Sequence, residues 1–416
     1  MLRRNSRNRT GSAGFKASVL APGASLPFAG GDISGAGARA CMVCTVTVEE
    51  STHPMRRPTA THGFAEDSMA RRFVTPCARI WGALALAFVA AAGIPLSPAA
   101  LAQTQATPPA AEGAADLKRF KGSVVQLESR SVQGAPSAET LGVRRSGSGV
   151  VIGQQLVLTI GYLLLEVESV DVISASGKRI PANVAGYDHA TGFGLVRTLL
   201  PVDGRALEMG DSDQVREGQK VLTLGHGEDE ATGLLVVSRK PFAGSWEYLI
   251  ERPIYTFPPV NNWSGSALMT EDGKLVGIGS LIVNDAAAEQ RGVPGNLFVP
   301  INLLKPILPD LVADGRRKAP VQPWLGMSTE QVRGHLMVVR VAPNGPADGA
   351  GIDPGDIIVG IGQEPITDLA DFYRRLWKLG PAGTEVTLRV LKGSEMRDLK
   401  LRSIDRTDSL RRPTGV

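Results

Sequence analysis

From about residue 120 to residue 293 the chain is a succession of short apolar runs broken every few residues by Gly and Asp turns, and this spacing most limits its fold. Runs this short cannot propagate stable helices, whereas they suit strands about half a dozen residues long. Residues 170–175 and 180–184 flank Ser176-Gly177 and read as a hairpin, and residues 221–224 and 274–278 read as further strands. So many short strands predict an all-β barrel or sandwich. A stretch with Leu303, Leu304, Ile307, Leu308 and Leu311 then has helical spacing, with Pro306 and Pro309 expected to kink or shorten it and Gly315 to stop it.

A basic run, Arg316-Arg317-Lys318, opens a linker over residues 316–321 and reads as a solvated face. The second unit, residues 322–403, is strands and turns around one helix. Thr367 is its expected N-cap, Leu369, Phe372, Tyr373 and Leu376 its apolar stripe, and Gly380 its stop. Residues 404–416 form a tail.

With 416 residues, 43% of them apolar and 21% charged, the chain is too long for one core and ordinary in composition, which fits two folded domains plus extra segments. The formal charge of +4 sits at the front: eleven of the 45 Lys and Arg lie in the first 102 residues with only five of the 41 Asp and Glu. The remainder is slightly acidic, so bulk charge gives no support for nucleic-acid binding. Arg71, Arg72 and Arg79 precede the apolar run 81–94, and Ala100-Leu101-Ala102 follows it, the order of a secretory signal peptide over residues 69–102. An uncleaved anchor is the competing reading, although the run is shorter than the roughly 20 residues a membrane helix needs. Residues 1–68 read as disordered chain or as a start placed too early, and residues 103–119 as a flexible leader. All three cysteines, Cys41, Cys44 and Cys77, precede the expected cleavage point. Neither a disulfide, a metal site nor a cofactor is therefore expected in the exported part.

Several stretches then occur together in one order: Gly147-Ser148-Gly149-Val150-Val151-Ile152, Leu158-Thr159, Gly210-Asp211-Ser212, Ser264-Gly265, Asp272-Gly273-Lys274-Leu275-Val276-Gly277-Ile278 and Val299-Pro300. In this they resemble the HtrA/Deg family of trypsin-fold serine proteases, over residues 147–315 of a domain placed at 120–315, with residues 322–403 resembling its PDZ domain. The resemblance implies a mainly β protein, a trypsin-like double β-barrel followed by one C-terminal PDZ domain. It also implies a Ser-His-Asp triad, and here the sequence departs from the family. The family's His follows a Leu-Thr-Asn-x stretch, but Leu158-Thr159-Ile160-Gly161 leads to Tyr162. Its Asp follows Asp-Pro-x-Thr, but Asp188-His189-Ala190-Thr191 leads to Gly192. Its nucleophile loop is matched by Asn262-Trp263-Ser264-Gly265-Ser266-Ala267, which retains Ser264 and puts Asn262 at the oxyanion-hole position.

A serine hydroxyl attacks a peptide carbonyl only when a neighbouring base takes its proton, and Tyr, with a pKa of about 10, is a poor base at neutral pH. Of the five histidines, only His189 lies near enough in sequence to the lost Asp to suggest a relocated base. The PDZ domain needs no triad. Its carboxylate loop is matched by Trp324-Leu325-Gly326-Met327, with Leu325 and Met327 either lining an apolar pocket or simply buried at a strand entry. Gly349-Ala350-Gly351-Ile352-Asp353-Pro354-Gly355-Asp356-Ile357-Ile358 resembles the PDZ signature after that loop and otherwise reads as a structural strand-turn, and Phe372 and Tyr373 either flank the groove or belong to the core.

The reading is an exported, periplasmic, catalytically inactive relative that binds peptide C-termini or unfolded segments in protein quality control or regulation. Two alternatives stand beside it: a serine endopeptidase using Ser264 with an unconventional base, and a scaffold subunit that forms a hetero-oligomer with an active relative. A homo-oligomer is the other assembly considered.

Overall fold

The computed structural model describes residues 117–318 and 320–412. The expected signal peptide, the three cysteines and the leader up to residue 116 lie outside the described residues. The protein is mainly β: two closed six-stranded barrels followed by a PDZ sheet.

The first barrel is built from β1 (Val124–Ser131), β2 (Arg144–Gly153), β3 (Leu156–Ile160), β4 (Val167–Ile173), β5 (Arg179–Tyr187) and β6 (Phe193–Thr198). Its pairing order is β1-β2-β3-β6-β5-β4, closed by β4 against β1. The strands alternate because every second side chain points inward. Val125, Leu127, Val151, Val157, Val172, Ile180 and Val196 form this interior. The hairpin expected around Ser176-Gly177 is β4 against β5, in register from Val170 opposite Ala182 to Ile173 opposite Arg179.

The second barrel uses β7 (Lys220–Leu224) and β8 (Thr232–Ser238). After a short hairpin of β9 (Phe242–Gly244) and β10 (Tyr248–Ile250), it continues with β11 (Ile254–Phe257), β12 (Ala267–Met269), β13 (Leu275–Val283) and β14 (Gly295–Pro300). The order is β11-β14-β13-β12-β7-β8, again closed. A third apolar cluster joins the barrels, with Leu158, Ile160, Phe193 and Leu195 from the first meeting Leu224, Tyr248, Ala267 and Ile278 from the second. Whatever projects from the mouth of this seam is held by both barrels.

The proline-containing stretch after β14 forms no continuous helix. A 3-10 turn, Ile301–Leu303, precedes a helix, Leu308–Asp314, with Pro309 in its first turn, where a missing N–H costs nothing. Gly315 ends it at φ 71°, the left-handed conformation that glycine adopts without a Cβ penalty. The basic run that follows differs from the solvated face expected of it. Lys318 is exposed, but Arg317 turns inward, and its Nε and Nη2 donate to the buried Asp188 carboxylate at 2.6 and 2.7 Å.

The PDZ sheet runs β15 (Met327–Val332), β16 (His335–Val341), β17 (Ile357–Ile361), β19 (Glu385–Lys392) and β20 (Glu395–Arg402) in that order, with β18 (Glu364–Pro365) paired to β17. The helix Leu369–Lys378 lays Phe372, Tyr373 and Leu376 onto the sheet, against residues that include Leu325, Val338 and Val390. Its N-cap is Asp368, not Thr367: the extended Asp368 backbone lets its side chain accept from the Asp371 N–H at 2.8 Å. Carboxylate and hydroxyl caps are chemically similar, and local pattern does not separate adjacent ones.

Candidate functional site

Tyr162 stands on a single 3-10 turn, Gly161–Leu164, that leaves β3 at the barrel seam. Its neighbour must be glycine, because a Cβ on Gly161 would fall 2.0 Å from the Tyr187 ring. Ser264 lies in the turn between β11 and β12 and is 5% exposed. That turn is fixed from both barrels: the Ser148 N–H donates to the Ser264 carbonyl at 2.7 Å, and the Gly265 N–H to the Gly279 carbonyl at 2.9 Å. Gly265 has φ 75°, and Gly147 lies so close that a Cβ there would meet Ser264 Oγ at 2.9 Å.

The structure brings Tyr162 and Ser264 together. Tyr162 Oη is 2.7 Å from Ser264 Oγ and 3.1 Å from the Ser280 carbonyl oxygen, and the Trp263 ring meets Tyr162 edge-on with centroids 6.5 Å apart. Burial raises the Tyr162 phenol well above its ordinary pKa, the hydrogen bond to Ser264 opposing this only in part. The phenol thus stays protonated, its one proton shared between Ser264 Oγ and the Ser280 carbonyl, and a neutral phenol is no base for the serine. A nucleophile needs the opposite, an acceptor for its own proton.

Gly192 supplies no side chain to this pair. It adopts φ 79°, its carbonyl accepts from the Gly161 N–H at 2.6 Å, and the space where its Cβ would stand is closed by Tyr248, whose Oη would be 2.9 Å away. The Tyr248 hydroxyl donates to the Thr191 carbonyl at 2.7 Å. Asp188, just before Gly192, is committed elsewhere, accepting from the Thr191 N–H and hydroxyl as well as from Arg317.

His189 does not face Ser264. Its Nδ1 meets the Tyr187 hydroxyl, and burial lowers its pKa well below the ordinary value, so it is neutral. The histidine tied to the Ser264 loop is His226, which sequence reasoning passed over. Its Nδ1 and its backbone N–H both lie 3.0 Å from Ser148 Oγ, while its carbonyl accepts from the Asn262 side-chain amide. Ser148 is fully buried and cannot reach a substrate. Only the end of β7 beside β12 could have pointed to His226, since nothing in its local sequence marks it. Asn262, at the oxyanion-hole position, does not adopt a positive φ.

All five tyrosines of the chain, Tyr162, Tyr187, Tyr248, Tyr255 and Tyr373, have phenols raised by burial. In the unfolded chain they ionise near pH 10, so the folded state loses relative stability as pH rises above about 10. An ultraviolet titration is expected to show no tyrosinate near pH 10 and a steep rise only together with alkaline unfolding. A single phenol ionising reversibly near 10 in the folded protein would contradict this packing.

The second candidate site is the Trp324-Leu325-Gly326-Met327 loop. Leu325 and Met327 are buried in the PDZ core, and Gly326 turns at φ 80°. The N–H groups of Leu325, Gly326 and Met327 converge on one carboxylate, at 2.8, 2.8 and 3.1 Å, and that carboxylate belongs to Glu247, between β9 and β10. Burial pushes the Glu247 carboxyl up to about 7, against the lowering pull of the three donors. Tyr373 does more than fill the core: its hydroxyl lies 2.9 Å from the Gly244 carbonyl and accepts from the Glu247 N–H at 3.1 Å.

A family model described as a trypsin-like peptidase domain matches residues 147–278, and a PDZ domain model matches residues 323–402. Among curated proteins, the chain is 26% identical over 272 residues to the periplasmic serine endoprotease DegP of Escherichia coli (strain K12), covering 61% of this chain and 56% of that relative. Against the serine protease Do-like HtrA of Bacillus subtilis (strain 168), it is 25% identical over 283 residues, covering 60% of this chain and 62% of the relative. The chain thus spans somewhat more than half the length of the curated relatives it matches. Among solved structures, the HtrA-type protease AlgW with decapeptide is 20% identical with a TM-score of 0.44, covering 71% of this chain and 98% of that one. The serine endoprotease from Yersinia pestis is 22% identical with a TM-score of 0.43, covering 70% and 96%.

Proposed function

We propose that this chain, which belongs to the HtrA family of trypsin-like peptidase domains followed by a PDZ domain, works as an exported peptide-binding protein that does not cleave what it binds. The observation that carries the reading is the Tyr162 phenol on Ser264 Oγ at 2.7 Å. Acyl transfer requires that the attacking hydroxyl surrender its proton as the bond forms. Here the adjacent group is a protonated phenol in a desolvated seam, which cannot take up the serine's proton. In an unrelated serine protease, loss of the triad His alone costs about 10⁶ in turnover. The residual acceleration left by a well-formed loop would not register in an ordinary protease assay.

Binding is left to the PDZ domain, whose backbone N–H groups take a carboxylate without any catalytic base. Export through residues 69–102 and work in the periplasm follow from the order of charged, apolar and small residues there, and agree with the compartment named for the DegP relatives.

The deciding experiment is cleavage of casein and of an unfolded protein, beside a Ser264→Ala variant, with fluorophosphonate labelling of both. Equal background signals from the two proteins are expected. Cleavage and labelling that disappear in Ser264→Ala would establish an activated nucleophile and defeat this reading in favour of an endopeptidase with an unconventional base.

A further inference from the structure

A PDZ groove lies between one sheet edge and one helix, here β15 and the helix Leu369–Lys378, and β15 ends the pairing order of its sheet. A peptide enters such a groove as an added strand, with its terminal carboxylate in a nest of backbone N–H groups. In this chain both features are already engaged. The Ser245 carbonyl accepts from the Thr329 N–H of β15 at 3.0 Å, the main-chain bond an added strand would make. The Glu247 carboxylate holds all three N–H groups of the nest, and Glu247 is only 5% exposed.

Two further contacts make this more than a passing touch. The Tyr373 hydroxyl, from the groove helix, is bonded to both Gly244 and Glu247, and Leu249 packs into the apolar core of the PDZ sheet. On the other side of the same hairpin, Tyr248 reaches back to the barrels and caps Gly192. Residues 247 and 248 therefore point opposite ways, one into each domain. Glu247 is held at φ 59°, a conformation uncommon for a residue with a side chain, so the segment is kinked where it delivers the carboxylate.

We propose that the PDZ groove is closed by the chain's own segment 245–247, with the Glu247 side chain in the seat of a ligand's terminal carboxylate, and that a peptide with a free C-terminal carboxylate binds by displacing it. The inference rests on the peptide-binding half of the function proposed above. It assigns Glu247 as an internal competitor. The apparent affinity of any peptide is lowered by the fraction of molecules in which the groove is open.

The test uses the full-length protein with Glu247→Gln, which keeps the shape and removes the charge, and Glu247→Ala, which removes the group. Two readouts are taken on each, with thermal melting to verify folding. The first is hydrogen exchange at the amides of Leu325, Gly326 and Met327. The second is fluorescence anisotropy with a pool of labelled decapeptides ending in apolar residues, supplied with free and with amidated C-termini. Exchange faster by about tenfold or more is expected in the variants, and free-carboxylate peptides should bind them at least about tenfold more tightly than they bind the unsubstituted protein. Amidated peptides should show no such gain.

Unchanged exchange, or equal peptide affinity for the unsubstituted protein and both variants, overturns closure by Glu247. Faster exchange with no peptide bound by either variant overturns the displacement step and, with it, the peptide-binding reading itself. The two failures are therefore told apart.

Discussion

The substitution Gly192→Asp, which restores the residue that the family pattern carries at this point, is expected to destabilise the protein by about 3 kcal/mol and to restore no cleavage. The position has φ 79°, which costs a residue with a Cβ about 1 kcal/mol or more. The new Cβ would lie 2.9 Å from Tyr248 Oη and 3.4 Å from its ring, so Tyr248 must move and give up its bond to the Thr191 carbonyl. The added carboxylate would also enter a region that already holds the buried Asp188. Urea unfolding, comparing midpoints at constant slope, measures the loss. Because Tyr248 and Glu247 share a hairpin, the substitution should also speed exchange at the Leu325, Gly326 and Met327 amides. A midpoint unchanged from the parent would mean that Tyr248 leaves without cost. No cleavage is expected to appear on the function proposed above, because Tyr162 still lies against Ser264.

A larger loss is expected one residue after the serine. Gly265→Ala should cost more than about 4 kcal/mol, enough to prevent accumulation of folded protein. A Cβ at position 265 would fall 2.0 Å from the Ser148 carbonyl oxygen and 2.6 Å from Thr159 Oγ1, and φ is 75°. The Ser148 carbonyl belongs to a barrel strand and already accepts from Thr159, so it has nowhere to retreat. Ser264→Ala, by contrast, removes one hydroxyl and is expected to change stability by about 1 kcal/mol or less. Soluble yield and melting temperature of the two variants side by side check the contrast. A well-folded Gly265→Ala protein would show that this turn is not the joint between the barrels described here.

The strands were legible because they are written locally, as in the runs 170–175 and 180–184 with a Ser-Gly turn between them, but that pattern left barrel and sandwich open and the double barrel came only from the family resemblance. The meeting of Tyr162 with Ser264, far apart in sequence, was legible only through the family's motif order, which carries contact information that periodicity does not. Other features escaped for physical reasons. Arg317 looked like a member of a solvated basic run because its partner, Asp188, is remote in sequence and buried in the turn that leaves β5. Asp368 displaced Thr367 as a helix cap because adjacent polar residues compete for one N–H. Glu247 gave no signal. A glutamate between two short strands is ordinary, and nothing nearby reveals that three N–H groups some 80 residues away, at 325–327, will claim its carboxylate.

The Arg317–Asp188 pair also bears on how far the PDZ domain can travel. With Arg317 fixed to the first barrel, the connection free to uncoil before Trp324 is the chain from Lys318 to Pro323, which fully stretched reaches only about 20 Å. When the hairpin lets go, the groove is thus confined to a small volume around it, and a tether of this length sets a local concentration of hairpin in the millimolar range. On the displacement proposed above, Glu247 would compete at this concentration with any departing peptide, and such a leash would make the protein a receptor that empties itself, holding a segment only while free ends remain plentiful around it.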